Sequence, residues 1–174
     1  MKIAFRTIFR NPNHFDLDRQ LYTKLTEIFE DWLDEKLGIV AECDYHPIGT
    51  GFRFKEDEYL WLQFTTKHIN QIEKKDFVVY WGWCPLDMDI YNDNFSGFCI
   101  TKFWGHDFEC IYVSRGFYSS NGLTEAMKKS WIDWITHVTS HEFLHYFKRN
   151  IEEVDKNYNK TERYKGYLMQ VTEL

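Results

Sequence analysis

The sequence predicts a mixed α+β domain, and three observations carry the prediction. Short stretches rich in β-branched and aromatic residues alternate with two long stretches of helical periodicity. The order along the chain is strand, helix, several strands, helix, tail, with no internal repeat or low-complexity tract. Apolar residues make up 44% and aromatics 19% of 174 residues, enough for one hydrophobic core spanning residues 1–174 as a single domain.

The elements follow in order. KIAFRTIF (2–9) reads as a first strand, broken by the NPN at 11–13. A helix is expected from about Asp16 to Leu37. Leu17, Leu21, Leu25, Ile28, Phe29 and Trp32 share one stripe of 3.6 period, Asp16 or Asp18 can cap the start, and Gly38 suits the end. IVAECDYHPI (39–48) reads as a second strand. FRFKEDEYLWLQF (52–64) reads as strand, acidic turn, strand. FVVYWGW (77–83) is apolar on both faces, as a central strand is. The stretch from Cys84 to Phe98, rich in Asp, Asn, Gly and Pro, reads as a long loop. ECIYVSRGFY (109–118) reads as the last strand and a long helix spans about Leu123 to Arg149, followed by a polar, weakly helical tail.

Composition excludes several functions. The net charge is −6 and the 21 basic residues form no block, which disfavours a nucleic-acid or membrane-surface partner. No apolar run approaches the length of a membrane span. Lys2, Arg6 and Arg10 interrupt any signal-peptide core, so a cytoplasmic protein is expected. Cys43, Cys84, Cys99 and Cys110 form no C-x-x-C pair and are expected as buried free thiols.

Chemistry concentrates in the second helix, at HVTSHEFLHYFKRN (137–150). Its apolar positions Met127, Trp131, Trp134, Ile135 and Val138 define a stripe that continues into His141, Glu142 and His145, so these three are expected on the inward side. They form H-E-x-x-H. Residues four apart share one helix face, so two imidazoles can converge on one zinc, and the intervening glutamate can act as general base on a metal-bound water. With seven histidines and 14 glutamates in the chain, shuffling would produce the pattern in only about 2 of 100 sequences, so the signal is specific. His137 lies eight residues from His145, about 12 Å along the axis, too far to share its ion. It is expected as a core or supporting histidine.

The five residues HEFLH, with a strand before them and a sheet with one backing helix, resemble the zincin metallopeptidase superfamily. That resemblance implies a mixed twisted sheet, an active-site helix, Zn2+ as cofactor, and hydrolysis of a peptide or protein substrate laid along an edge strand, here 109–117. Trp131 and Phe117 would then shape a side-chain pocket. The metzincin extension is absent: Lys148 and Ile151 stand at its glycine and third-histidine positions. The gluzincin pattern points to Glu162. The aspzincin D-x-x-Y pattern resembles Asp155-Lys156-Asn157-Tyr158, although the Gly-Thr before it and the glycine after it are missing.

Helix geometry adds a condition. A helix continued past Asn150 would carry Glu152 roughly 10 Å beyond His145, so the helix must stop near Asn150 for a tail carboxylate to return. Asp155 is the preferred third ligand, with Glu152, Glu153 and Glu162 as alternatives. By the resemblance, Tyr158 would donate a hydrogen bond to the developing oxyanion. Competing expectations are a zincin-like domain acting as a binding module or on a non-peptide substrate, and a metal-free globular domain. His14, His46, His68 and His106 have no partner pattern. Asp87, Asp89 and Asp93 lack the glycine and terminal glutamate of a calcium loop.

Overall fold

A computed structural model describes residues 1–9, 19–49, 58–82, 97–114 and 124–148, and among these described residues five strands and three helices form. The strands are β1 (Lys2–Phe9), β2 (Glu42–Gly49), β3 (Phe77–Gly82), β4 (Gly97–Ile100) and β5 (Cys110–Ser114). The helices are α1 (Arg19–Leu37), α2 (Glu58–Ile72) and α3 (Glu125–Lys148), with a 3-10 turn at Lys102–Trp104. The sheet order is β2-β1-β3-β5-β4. The first four in that order run parallel, and β4 runs antiparallel to β5. Parallel neighbours need crossover connections, which α1 and α2 provide between β1 and β2 and between β2 and β3.

Alternation along the strands sends side chains to two cores. Ile3, Phe5, Val79, Trp81, Ile111 and Val113 face α1 and α3, while Ala4, Ile8, Val78, Tyr80, Cys110 and Tyr112 face α2. β3 is buried along its whole length between β1 and β5, as its uniformly apolar sequence predicts. α1 buries Tyr22, Leu25, Phe29, Trp32 and Leu33 against the first core. It ends at Gly38, whose φ of 64° lets its N–H reach Asp34 O (2.9 Å) and Ile39 N reach Leu33 O (3.0 Å). No helix among the described residues is long and apolar enough to cross a membrane.

Three expectations are corrected. First, residues 58–64 are not a strand but the start of α2. Leu62, Thr66 and Ile69 are its buried residues, a helical spacing that becomes visible only when the window extends beyond Phe64. The aromatic run Tyr59-Leu60-Trp61 mimics a strand locally. Second, Gly97 and Phe98 are not loop but the start of β4. Third, and most consequential, the strand at 109–117 is not an edge. Within it β5 pairs with β3 on one side and β4 on the other, so its main-chain groups cannot accept a peptide strand. Among the described residues the terminal strand on this side of the sheet is β4. Residues 10–18, 50–57, 83–96, 115–123 and 149–174 lie outside the described residues, and with them the expected NPN break, the acidic turn, Cys84, Phe117 and the tail.

Candidate metal and catalytic site on helix α3

α3 begins at Thr124, whose Oγ1 accepts the Met127 N–H at 3.2 Å. Its inward stripe is Trp131, Ile135, Val138 and Glu142, all buried. Met127 and Trp134, expected on that stripe, are largely exposed. Trp134 lies at the margin, where its indole N–H donates to Ser114 O at 3.3 Å. From Ile135 to Ser140 every residue is buried. The sequence meets this with short hydroxyl side chains. Thr136, Thr139 and Ser140 each donate to the carbonyl four residues back at 2.7 Å, so no buried hydroxyl proton goes unsatisfied. Thr139 also accepts the Trp81 indole N–H at 3.0 Å, fastening the helix to the middle of the sheet.

Next along the helix, the two histidines of the motif converge. Nε2 of His141 and Nε2 of His145 are 2.8 Å apart, one donating to the other, with the ring planes at 88°. Both rings are half-buried, whereas Glu142 between them is only 6% exposed and turns toward β4. A tetrahedral zinc bound at 2.0–2.1 Å by two nitrogens needs them about 3.3 Å apart. An opening of roughly half an ångström, within the reach of χ rotation, would convert the shared proton into a shared metal ion. The donor set therefore fits two of the positions that a zinc takes.

Burial keeps His141 neutral, as a metal ligand must be. His141 is pushed down to about 3, first by burial and then by the neighbouring His145 and His137. Burial also pushes His137 down to about 4. The unfolded chain takes up protons near the ordinary 6.5, and the folded chain only well below that. Stability of the metal-free protein is thus expected to be flat above about pH 7 and to fall as pH drops from 6.5 toward 4 and 3. Urea denaturation midpoints of chelated protein at pH 7.5 and 5 check this. A midpoint unchanged or raised at pH 5 would contradict it.

The far end of the helix is clasped to the β4–β5 connection. Tyr146 donates to Glu109 Oε2 at 3.2 Å and stacks on Phe77 at 4.2 Å between ring centroids. Oε1 of the same glutamate accepts from Thr101 Oγ1 (3.3 Å) and Lys102 N (3.2 Å). Glu109 thereby holds the strand pair and the helix turn bearing His145 in one relation.

His137 is a buried core histidine one turn before His141, as expected. His106 accepts or donates with Tyr59 OH at 2.9 Å, and His68 stacks on Phe64, both on the opposite face of the sheet. Cys43 and Cys110 are free thiols, and burial raises Cys43 to about 12 and Cys110 higher, so neither is a nucleophile. Asp155 and Tyr158, like Glu152, Glu153 and Glu162, lie outside the described residues. Among the described residues no three His, Cys, Asp or Glu side chains gather into a group that could hold a metal ion. Gly97, whose Cα lies against Val138 and Glu142, and Glu109, which accepts from Tyr146, escape sequence reasoning because neither belongs to a recognisable pattern. No family model, curated protein or solved structure matches this chain.

Proposed function

We propose that this chain is a zinc-dependent endopeptidase, with His141 and His145 as two metal ligands, Asp155 as the third, and Glu142 as general base. The observation that supports it is the convergence of the two Nε2 atoms within 2.8 Å beside a buried glutamate that faces the outermost strand. The same nitrogen of each ring is aimed at one point, as two ligands of one ion would be.

Bound zinc would supply the Lewis acidity that polarises a scissile carbonyl and lowers the pKa of water. The chain supplies the rest. Glu142 takes the proton of the attacking water and passes it to the leaving amine. Tyr158 donates a hydrogen bond to the developing oxyanion. The substrate is an extended peptide, and its place is along β4, the last strand in the sheet order among the described residues. This moves the binding strand from 109–117 to Gly97–Ile100.

Metal analysis of the purified chain, followed by hydrolysis of a quenched-fluorescent peptide library, tests the reading. One zinc per chain and cleavage that is lost on chelation and restored by zinc are expected. Zinc without cleavage would instead mark a binding module, and no zinc would reject both. Asp155→Ala should weaken zinc binding by more than the roughly 10–100-fold that removing an outer-shell partner costs. Glu152→Ala, Glu153→Ala and Glu162→Ala should leave it unchanged. If one of these loses zinc and Asp155→Ala does not, the third ligand is reassigned.

A further inference from the structure

We infer that Gly97 is a positioning residue for Glu142. The inference rests on the reading of Glu142 as the base and adds the element that holds it. Gly97 opens β4 opposite Val113, and its bare Cα faces α3. A Cβ there would lie 2.5 Å from Val138 Cγ1, 3.2 Å from Glu142 Oε1 and 3.3 Å from Glu142 Cγ. The strand thus forms a wall against the carboxylate, close enough that even a methyl group does not fit.

The wall cannot step back far. One and three residues on, Phe98 stacks on Tyr112 at 5.3 Å between centroids and Ile100 is buried in the second core, both on the face away from α3. The strand is also bonded to β5 along its length. Val138 cannot easily turn aside, because a β-branched side chain in a helix has one strongly preferred χ1. The 2.5 Å contact with Val138 is met by a small local shift of backbone, and the contacts of 3.2 and 3.3 Å are met by Glu142, whose three rotatable bonds let it yield. Added bulk at position 97 therefore moves the carboxylate while the histidines, on the flank of the helix, keep their place.

Gly97→Ala, made in the full chain, tests this with two readouts. Crystal structures of the wild type and the variant, metal-free and zinc-soaked, should show the Glu142 carboxylate displaced by a few tenths of an ångström with both Nε2 positions unchanged. On the peptide library kcat should fall about 2–10-fold, a fraction of what a 1 Å misplacement costs, with KM and zinc stoichiometry kept. Should the single variant fold poorly, Gly97→Ala/Val138→Ala removes the 2.5 Å contact and leaves the two with Glu142. Displacement of the carboxylate and loss of kcat should then persist relative to Val138→Ala alone, with thermal stability recovered. A carboxylate in its wild-type position in either variant, or kcat that returns with stability, overturns the inference. A wild type that neither binds zinc nor cleaves peptide would defeat the peptidase reading, and the crystallographic displacement would still decide what Gly97 does.

Discussion

Glu142→Gln is expected to keep one zinc per chain and to lose about 10²–10⁴-fold in kcat, the range that a positioned acid–base group contributes. The substitution is nearly isosteric, so the buried side chain still fills its place against β4 and Val138. What disappears is the capacity to take a proton from water and return it to an amine. Neither histidine ligand changes, so metal affinity measured by competition with a chromophoric chelator should stay within a few-fold of wild type. Melting temperature should move little, since the amide can be accommodated in the same volume. Undiminished turnover in this variant would end the general-base assignment. Loss of zinc together with activity would mean that the carboxylate belongs to the metal site itself, and the roles of Glu142 and the tail carboxylates would need exchanging.

This experiment is informative because Glu142 is legible in the sequence twice over. It sits between two histidines at helical spacing, and it extends the apolar stripe Trp131, Ile135, Val138 at the same period. Periodicity also makes α1 readable, while β1 and β3 are readable from β-branched, aromatic and apolar content along enough residues to stand out. The failures have a common physical origin in short elements. β4 has four residues, GFCI, emerging from a stretch rich in turn formers, and four residues cannot establish alternation. Missing it left β5 looking like the edge, because edge status is a property of the neighbour and not of the strand. α2 was misread for a related reason. The strand-like aromatic content of its first turn outweighed a helical spacing that depends on Thr66 and Ile69 further on. Gly97 and Glu109 act through tertiary approach alone, and no local pattern announces such contacts.

Phe143→Ala is expected to have the opposite signature to Glu142→Gln, with stability lost and chemistry kept. The two x positions of the H-E-x-x-H motif are Phe143 and Leu144, both buried in the core shared by α1, α3 and the sheet. Phe143 is fully buried and lies within 5.8–6.3 Å, centroid to centroid, of Phe5, Phe29, Trp32, Phe77 and Phe147. Replacing it by alanine leaves a cavity walled by aromatic rings that cannot collapse far, so a cost of about 3–5 kcal/mol follows. For a chain of this size that lowers the melting temperature by roughly 6–20 °C. The ring anchors the helix by its inner face, whereas His141 and His145 stand on its flank, so the folded fraction at low temperature should still bind zinc. Thermal melts of the chelated protein, paired with zinc titration at 10 °C, separate the two effects. A melting temperature within a degree or two of wild type would remove Phe143 from the core. Loss of zinc binding in the folded state would show that the position of the histidine pair depends on this ring.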